Sequence, residues 1–152
     1  MTLRRATPDD APLLTAHRAA LWTEIGDWTQ DELAPTLPAW TSFIRRAIAD
    51  GTYVAYIAEE DGVAIGSGAL LLQLAFPRPG LESNQAGRMH SVYVAPAARR
   101  RGVALGIVNA LLAFAREAKL IEITLHPSEV ARPLYASLGF KQADEMRLRF
   151  SS

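Results

Sequence analysis

Three consecutive arginines and a glycine, Arg99-Arg100-Arg101-Gly102, stand between a β-branched run at residues 91–95 (Ser-Val-Tyr-Val-Ala) and an amphipathic helical pattern. A helix start carries roughly half a positive charge and several backbone N–H groups without an intrahelical acceptor, so it ordinarily attracts acidic residues. Three guanidinium groups oppose that preference, and a bound polyanion relieves the conflict: its oxygens accept the N–H groups while the arginines neutralise its remaining charge. Gly102 lets the backbone approach closely. A solvated basic turn is the competing reading. Against it, Val103, Ile107, Ala110, Leu111 and Phe114 form a core-facing stripe that fixes the helix start against a sheet.

The rest of the chain must supply that sheet. Residues 3–6 suit a short strand, and Thr7-Pro8-Asp9-Asp10 offers a capping threonine, proline at the first helical position and early acidic residues. A helix follows, with Leu13, Leu14, His17, Leu21 and Trp22 near one face, until Gly26 stops it. Pro35 and Pro38 break residues 27–38 into loop and short helix, and a further helix spans about 39–49, ending at Asp50-Gly51. Residues 53–58 and 63–74 flank Asp61-Gly62, a hairpin signal. Gly66 and Gly68 mark a bulge, a ligand approach or a simple kink. A strand at 89–95, a helix at about 101–118 and a strand at 121–125 form a crossover that requires parallel pairing. A last helix near 129–138 leads to Gly139-Phe140 and a final strand at 146–150.

Composition narrows the function. The 152 residues fit one domain, 1–152, and 49% hydrophobic with 21% charged residues is ordinary globular usage. Lys+Arg and Asp+Glu both number 16, so a basic function must be local, and a nucleic-acid module built on Arg99–Arg101 with Arg45 and Arg46 is disfavoured. The absence of cysteine excludes disulfides, thiolate metal sites and a cysteine nucleophile, and no metal site is expected. With no apolar signal segment and no membrane-length run, a cytoplasmic protein without membrane contact is the expectation.

Val94-Ala-Pro96 followed by Arg99-x-x-Gly102-x-Ala104 resembles the acetyl-CoA motif of the GNAT superfamily of N-acetyltransferases, Gln/Arg-x-x-Gly-x-Gly/Ala. Residues 131–140 (Ala-Arg-Pro-Leu-Tyr-Ala-Ser-Leu-Gly-Phe) are similar to that family's last helix and the turn after it, and residues 3–10 look like its opening strand and helix start. The resemblance implies an α+β fold: a mixed, mostly antiparallel central sheet flanked by helices, with a parallel strand pair splayed to admit acetyl-CoA. It further implies acetyl transfer from acetyl-CoA to a small-molecule or peptide amine by direct attack in a ternary complex. A non-catalytic acyl-CoA-binding regulatory domain is the alternative, and a homodimer is left open.

The resemblance also assigns roles. Pantetheine pairs with the backbone of Val92 and Val94, and the amides of Arg100, Arg101, Gly102, Val103, Ala104 and Leu105 take the pyrophosphate, with Arg99 beside them. Tyr135 is the acid that protonates the departing thiolate, since a phenol with a pKa near 10 can do so. His90 is a candidate base, placed by strict alternation on the face of Val92 and Val94. Apart from the resemblance, Glu24 and Asp27, near the end of the first helix, are candidates to recognise a cationic amine or to relay its proton through water. Ser128 stands where the family often has Asn, and keeps a hydrogen-bonding group of shorter reach. Trp22, Trp28, Trp40 and Phe43 lie where the family builds its acceptor pocket, which suggests a partly apolar amine or cation–π recognition.

Overall fold

Period-2 apolar patterning in the middle of the chain builds a five-stranded sheet of order β1-β2-β3-β4-β5 in the computed structural model, which describes residues 1–151. The strands are β1 (Thr2–Arg5), β2 (Tyr53–Glu60), β3 (Val63–Leu74), β4 (Gln85–Val94) and β5 (Ile123–Thr124). The first three pairings are antiparallel and β4 runs parallel to β5. The β2–β3 hairpin closes through Asp61 and Gly62, at φ 51° and 77°, the left-handed pair that its Asp-Gly turn supplies.

Helices cover both faces. On one side α4 (Val103–Glu117) buries Val103, Ile107, Val108 and Leu111 against Ile65, Leu70 and Met89, and Tyr135 of α5 (Arg132–Ser137) joins the same core. On the other side α1 (Ala11–Ile25) and α3 (Leu37–Asp50), linked through the one-turn α2 (Gln30–Leu33), place Ala11, Leu14, Ile44 and Ala47 on Tyr53, Ala55, Ile57 and Ala69. Gly26 and Gly51, at φ 87° and 79°, end α1 and α3 where the sequence places their stops. Thr7 and Asp10 form a capping box, and Arg4 binds the Asp10 carboxylate through two nitrogens at 2.8 Å, tying β1 to the start of α1.

Gly66 and Gly68 serve packing. A Cβ at Gly68 would stand 2.8 Å from Ile107 Cγ2, and one at Gly66 would stand 2.7 Å from the Tyr93 carbonyl oxygen. These glycines let α4 sit directly on β3.

Two expectations fail. The final strand at 146–150 does not form, although Met146, Leu148 and Phe150 alternate with Arg147 and Arg149. All three apolar residues are exposed, because alternation supplies a face but no ladder partner, and β5 is only two residues long. The second failure concerns β4. Its register against β3 shifts between Ser67↔Tyr93 and Ala69↔His90, so Ser91 and Val92 together face Gly68, and Ser91 has φ 56°. This bulge inverts the alternation. Met89, Val92 and Val94 face α4, whereas His90 and Tyr93 face α1 and α3. His90 is therefore on the face opposite Val92 and Val94. Among the described residues no helix is long and apolar enough to cross a membrane.

Candidate active site

Six successive backbone N–H groups, from Arg100 to Leu105, have no acceptor among the described residues; the first bond of α4 is Gly106 N–H to the Gly102 carbonyl at 3.0 Å. Gly102 is the N-cap residue at φ 78°, no side chain caps the helix, and a Cβ at Gly102 would meet nothing within 4 Å. The result is an open, uncapped helix start on a helix whose first turn is anchored by buried Val103.

The arginines before it divide their work. Arg99 Nη2 donates to both Glu24 oxygens at 2.6 and 2.7 Å while its Nε donates to the Val94 carbonyl at 2.9 Å. It thus pins the end of α1 to the end of β4. Arg101 pairs with Glu60 at the tip of the β2–β3 hairpin. Arg100, at φ 62°, has no carboxylate partner among the described residues and is the arginine left to meet an anion. The local cationic excess is accordingly smaller than three arginines suggest, and Glu24 is held in an ion pair.

Beside this helix start the sheet opens. The β4–β5 ladder consists of Gly87↔Ile123 and Arg88↔Thr124, and beyond Arg88 strand β4 has no partner on that side through Val94 among the described residues. Val92 and Val94 turn their side chains into the α4 core, so their backbone lines the opening.

The end of α5 explains how Tyr135 is held. Phe140 N–H bonds the Tyr135 carbonyl and Gly139 N–H bonds the Ala136 carbonyl, both at 3.1 Å, with Gly139 at φ 97°. This is a Schellman termination, and it folds the Phe140 ring edge-on to the Tyr135 ring, centroids 5.6 Å apart. Ser128 starts the same segment: its Oγ accepts from Ala131 N–H at 3.2 Å and its carbonyl from Arg132 N–H at 3.0 Å. Tyr135 is buried, and burial raises its pKa, so the phenol stays protonated at neutral pH. Its hydroxyl makes no side-chain hydrogen bond among the described residues. No buried, unbonded side-chain oxygen occurs among them either, so this hydroxyl reaches the surface.

On the α1/α3 face, His90 lies in a cavity of about 210 Å³ with Arg18, Trp40, Phe43, Ile44, Tyr53 and Leu71. Burial, followed by the charges of Arg18 and Arg88, pushes the His90 pKa down to about 4, leaving the imidazole neutral at physiological pH. Burial pushes the Tyr53 phenol up to about 12. His17, buried nearby, shares a 2.7 Å hydrogen bond between Nδ1 and Ser67 Oγ and packs on Tyr93 at 4.9 Å, a satisfied core histidine. Of the four aromatics expected in this region, Trp40 and Phe43 line the cavity, Trp22 stacks edge-on to Trp40, and Trp28 is exposed. Sequence reasoning missed Arg18 and Tyr53. The available signal was Arg18 four residues before Trp22 on a helix, the spacing at which a guanidinium covers an indole.

The sequence matches the model of the acetyltransferase (GNAT) family over residues 17–140. No curated protein matches it in sequence. Among solved structures, a GCN5-related N-acetyltransferase from Ralstonia eutropha JMP134 is 27% identical, with a TM-score of 0.88 over 98% of this chain and 97% of that one. An acetyltransferase from Clostridium acetobutylicum, solved with acetyl-CoA, is 25% identical, with a TM-score of 0.85 over 99% and 95%. An aminoglycoside N-acetyltransferase in complex with CoA shares the fold at 20% identity, with a TM-score of 0.72 over 99% and 93%. The chain belongs to the GNAT acetyltransferase family.

Proposed function

We propose that this protein transfers an acetyl group from acetyl-CoA to a primary amine by direct attack in a ternary complex. The observation that carries the reading is the run of six acceptorless amides at residues 100–105 beside the unpaired edge of β4. The amides and Arg100 fit a pyrophosphate, and the backbone of Val92 and Val94 fits an amide-bearing arm laid along the strand.

When bound, acetyl-CoA supplies a thioester activated toward nitrogen nucleophiles. The chain has no cysteine to carry the acetyl group, so the amine attacks the carbonyl directly, forming the C–N bond as the C–S bond breaks. Tyr135 hands its phenolic proton to the departing sulfur. The amine loses a proton to water or to His90, whose lowered pKa makes it a weak acceptor, while Glu24 is held in its ion pair with Arg99. Ser128 contributes by fixing the segment that carries Tyr135.

Calorimetric titration with acetyl-CoA, followed by thiol release against a panel of primary amines, tests this. Saturable binding and amine-dependent release with intersecting double-reciprocal lines support it. Binding without release for any amine returns the chain to a regulatory acyl-CoA-binding role, and absence of binding refutes the donor site.

A further inference from the structure

Arg18 is a half-buried charged group that the acetyl-donor site leaves unexplained. Its guanidinium lies 4.8 Å from the ring centroids of both Trp22 and Trp40, and its Nη1 donates to Ser91 Oγ at 2.9 Å. Ser91 is the left-handed bulge residue of β4, so the bulge that turns His90 toward α1 also supplies the hydroxyl that holds Arg18. Among the described residues Arg18 has no carboxylate within ion-pair distance, and its Nε and Nη2 have no acceptor. By contrast Arg4, Arg78, Arg88, Arg99, Arg101 and Arg132 each pair with an acid.

The cavity reinforces the imbalance. Its lining includes Arg18 and no Asp or Glu, together with His90, Tyr53, whose hydroxyl makes no side-chain hydrogen bond among the described residues, and the apolar faces of Trp40, Phe43, Ile44 and Leu71. Burial opposes the charge on Arg18, and the charges that act on His90 are those of Arg18 and one further guanidinium, Arg88. A half-buried, indole-clamped guanidinium with a free fork of donors is a receptor for a planar anion. Arg18 already covers one face of each indole.

We propose that the acceptor amine carries a carboxylate, seated on the Arg18 guanidinium and the Tyr53 hydroxyl, with a compact apolar group against Trp40, Phe43 and Leu71: an amino acid or a close amino-acid analogue. The volume of about 210 Å³ suits a molecule of that size. The inference rests on the acetyl-transfer reading, since it names that reaction's acceptor.

The test compares matched acceptors on the intact protein: leucine against leucinamide and isopentylamine, and phenylalanine against phenethylamine, with acetyl-CoA and mass-spectrometric detection of product. The carboxylate member of each set should have kcat/KM about 10²-fold higher, the scale on which a site built for a polar group rejects the analogue lacking it. Arg18→Met keeps the stacked length without the charge and should collapse that ratio toward unity, whereas Arg18→Lys should restore part of it. Equal kcat/KM for the matched amines on the wild-type protein overturns the inference without any variant. So does a ratio that survives Arg18→Met. Acetyl-CoA titration of every sample separates this failure from failure of the donor site: retained acetyl-CoA binding with no carboxylate preference refutes the acceptor assignment alone.

Discussion

Ala104 occupies the second position of α4, half-buried, within the run of acceptorless amides. Ala104→Glu places a carboxylate where the helix dipole favours one, so the apo protein should gain about 0.3–1 kcal/mol. The same carboxylate faces the proposed pyrophosphate. Two unit charges ~5 Å apart at an effective dielectric near 20 repel by about 3 kcal/mol, a loss of more than a hundredfold in CoA affinity. Stability and binding thus move in opposite directions, which unfolding or misfolding cannot imitate. Ala104→Gln, equal in size and uncharged, isolates the steric share and should fall between. Gly102 is a poorer probe, because its φ of 78° makes any side chain strained whether or not a ligand binds. Thermal melts without ligand and calorimetric titration with CoA check the prediction. If the glutamate variant melts at or above the wild-type temperature and binds CoA within threefold, the pyrophosphate does not sit at this helix start.

Tyr135→Phe keeps the edge-on contact with Phe140 and should lower turnover by about 10²-fold or more while CoA affinity and melting temperature stay near wild type; a loss of only a few-fold makes the ring a packing element. Because His90 titrates at about 4, the wild-type kcat/KM should rise with pH from 5 to 9 through ionisation of the amine alone, and a limb near pH 6.5 contradicts its burial. Because the imidazole is neutral across that range, His90→Gln should leave the shape of the profile unchanged, and a deficit that grows toward pH 6.5 contradicts the lowered pKa. The Arg4 guanidinium holds the Asp10 carboxyl down at about 2 against 3.8 ordinarily. A depressed acid stabilises above its unfolded value and loses that contribution as pH falls through its folded one. Asp10→Asn should therefore cost about 1–2 kcal/mol at pH 7, allowing for solvent screening, and about nothing near pH 2, as read by denaturant melts.

Much of the fold is legible because its signals are local. Thr7 and Asp10, Gly26, Gly51 and Asp61-Gly62 each specify a cap or turn within a few residues, and each does so in the structure. The helix start at Gly102 is legible for the same reason, and so is the Tyr-x-x-x-Gly-Phe termination that locks Tyr135. Pairings between distant charges are not. Nothing in the spacing of Arg99 and Glu24, 75 residues apart, or of Arg101 and Glu60, indicates that two arginines of the triplet are already neutralised. The apolar alternation at 146–150 misleads in the opposite sense, since a strand pattern predicts a face and says nothing of whether an edge remains to receive it.

The bulge at Ser91 is the least legible feature and the one on which the site turns. Strict alternation sends His90, Val92 and Val94 to one face, and a single left-handed residue reverses the first relative to the other two. Ser91 carries no glycine or asparagine to announce it, so the reversal comes from the fold: the ladder to β3 must shift by one residue between Ala69 and Ser67. On the proposed readings, one strand then serves two ligands. Past the bulge, Val92 and Val94 commit their side chains to α4 and leave their backbone for the donor along an edge that β5 has released. At the bulge, His90 and Ser91 turn to the opposite helices, one facing the cavity beside α1 and α3 and the other accepting from the Arg18 guanidinium. An unbulged β4 that kept Val92 and Val94 on α4 would place His90 among Val103, Ile107 and Leu111, away from the cavity that it lines beside Arg18.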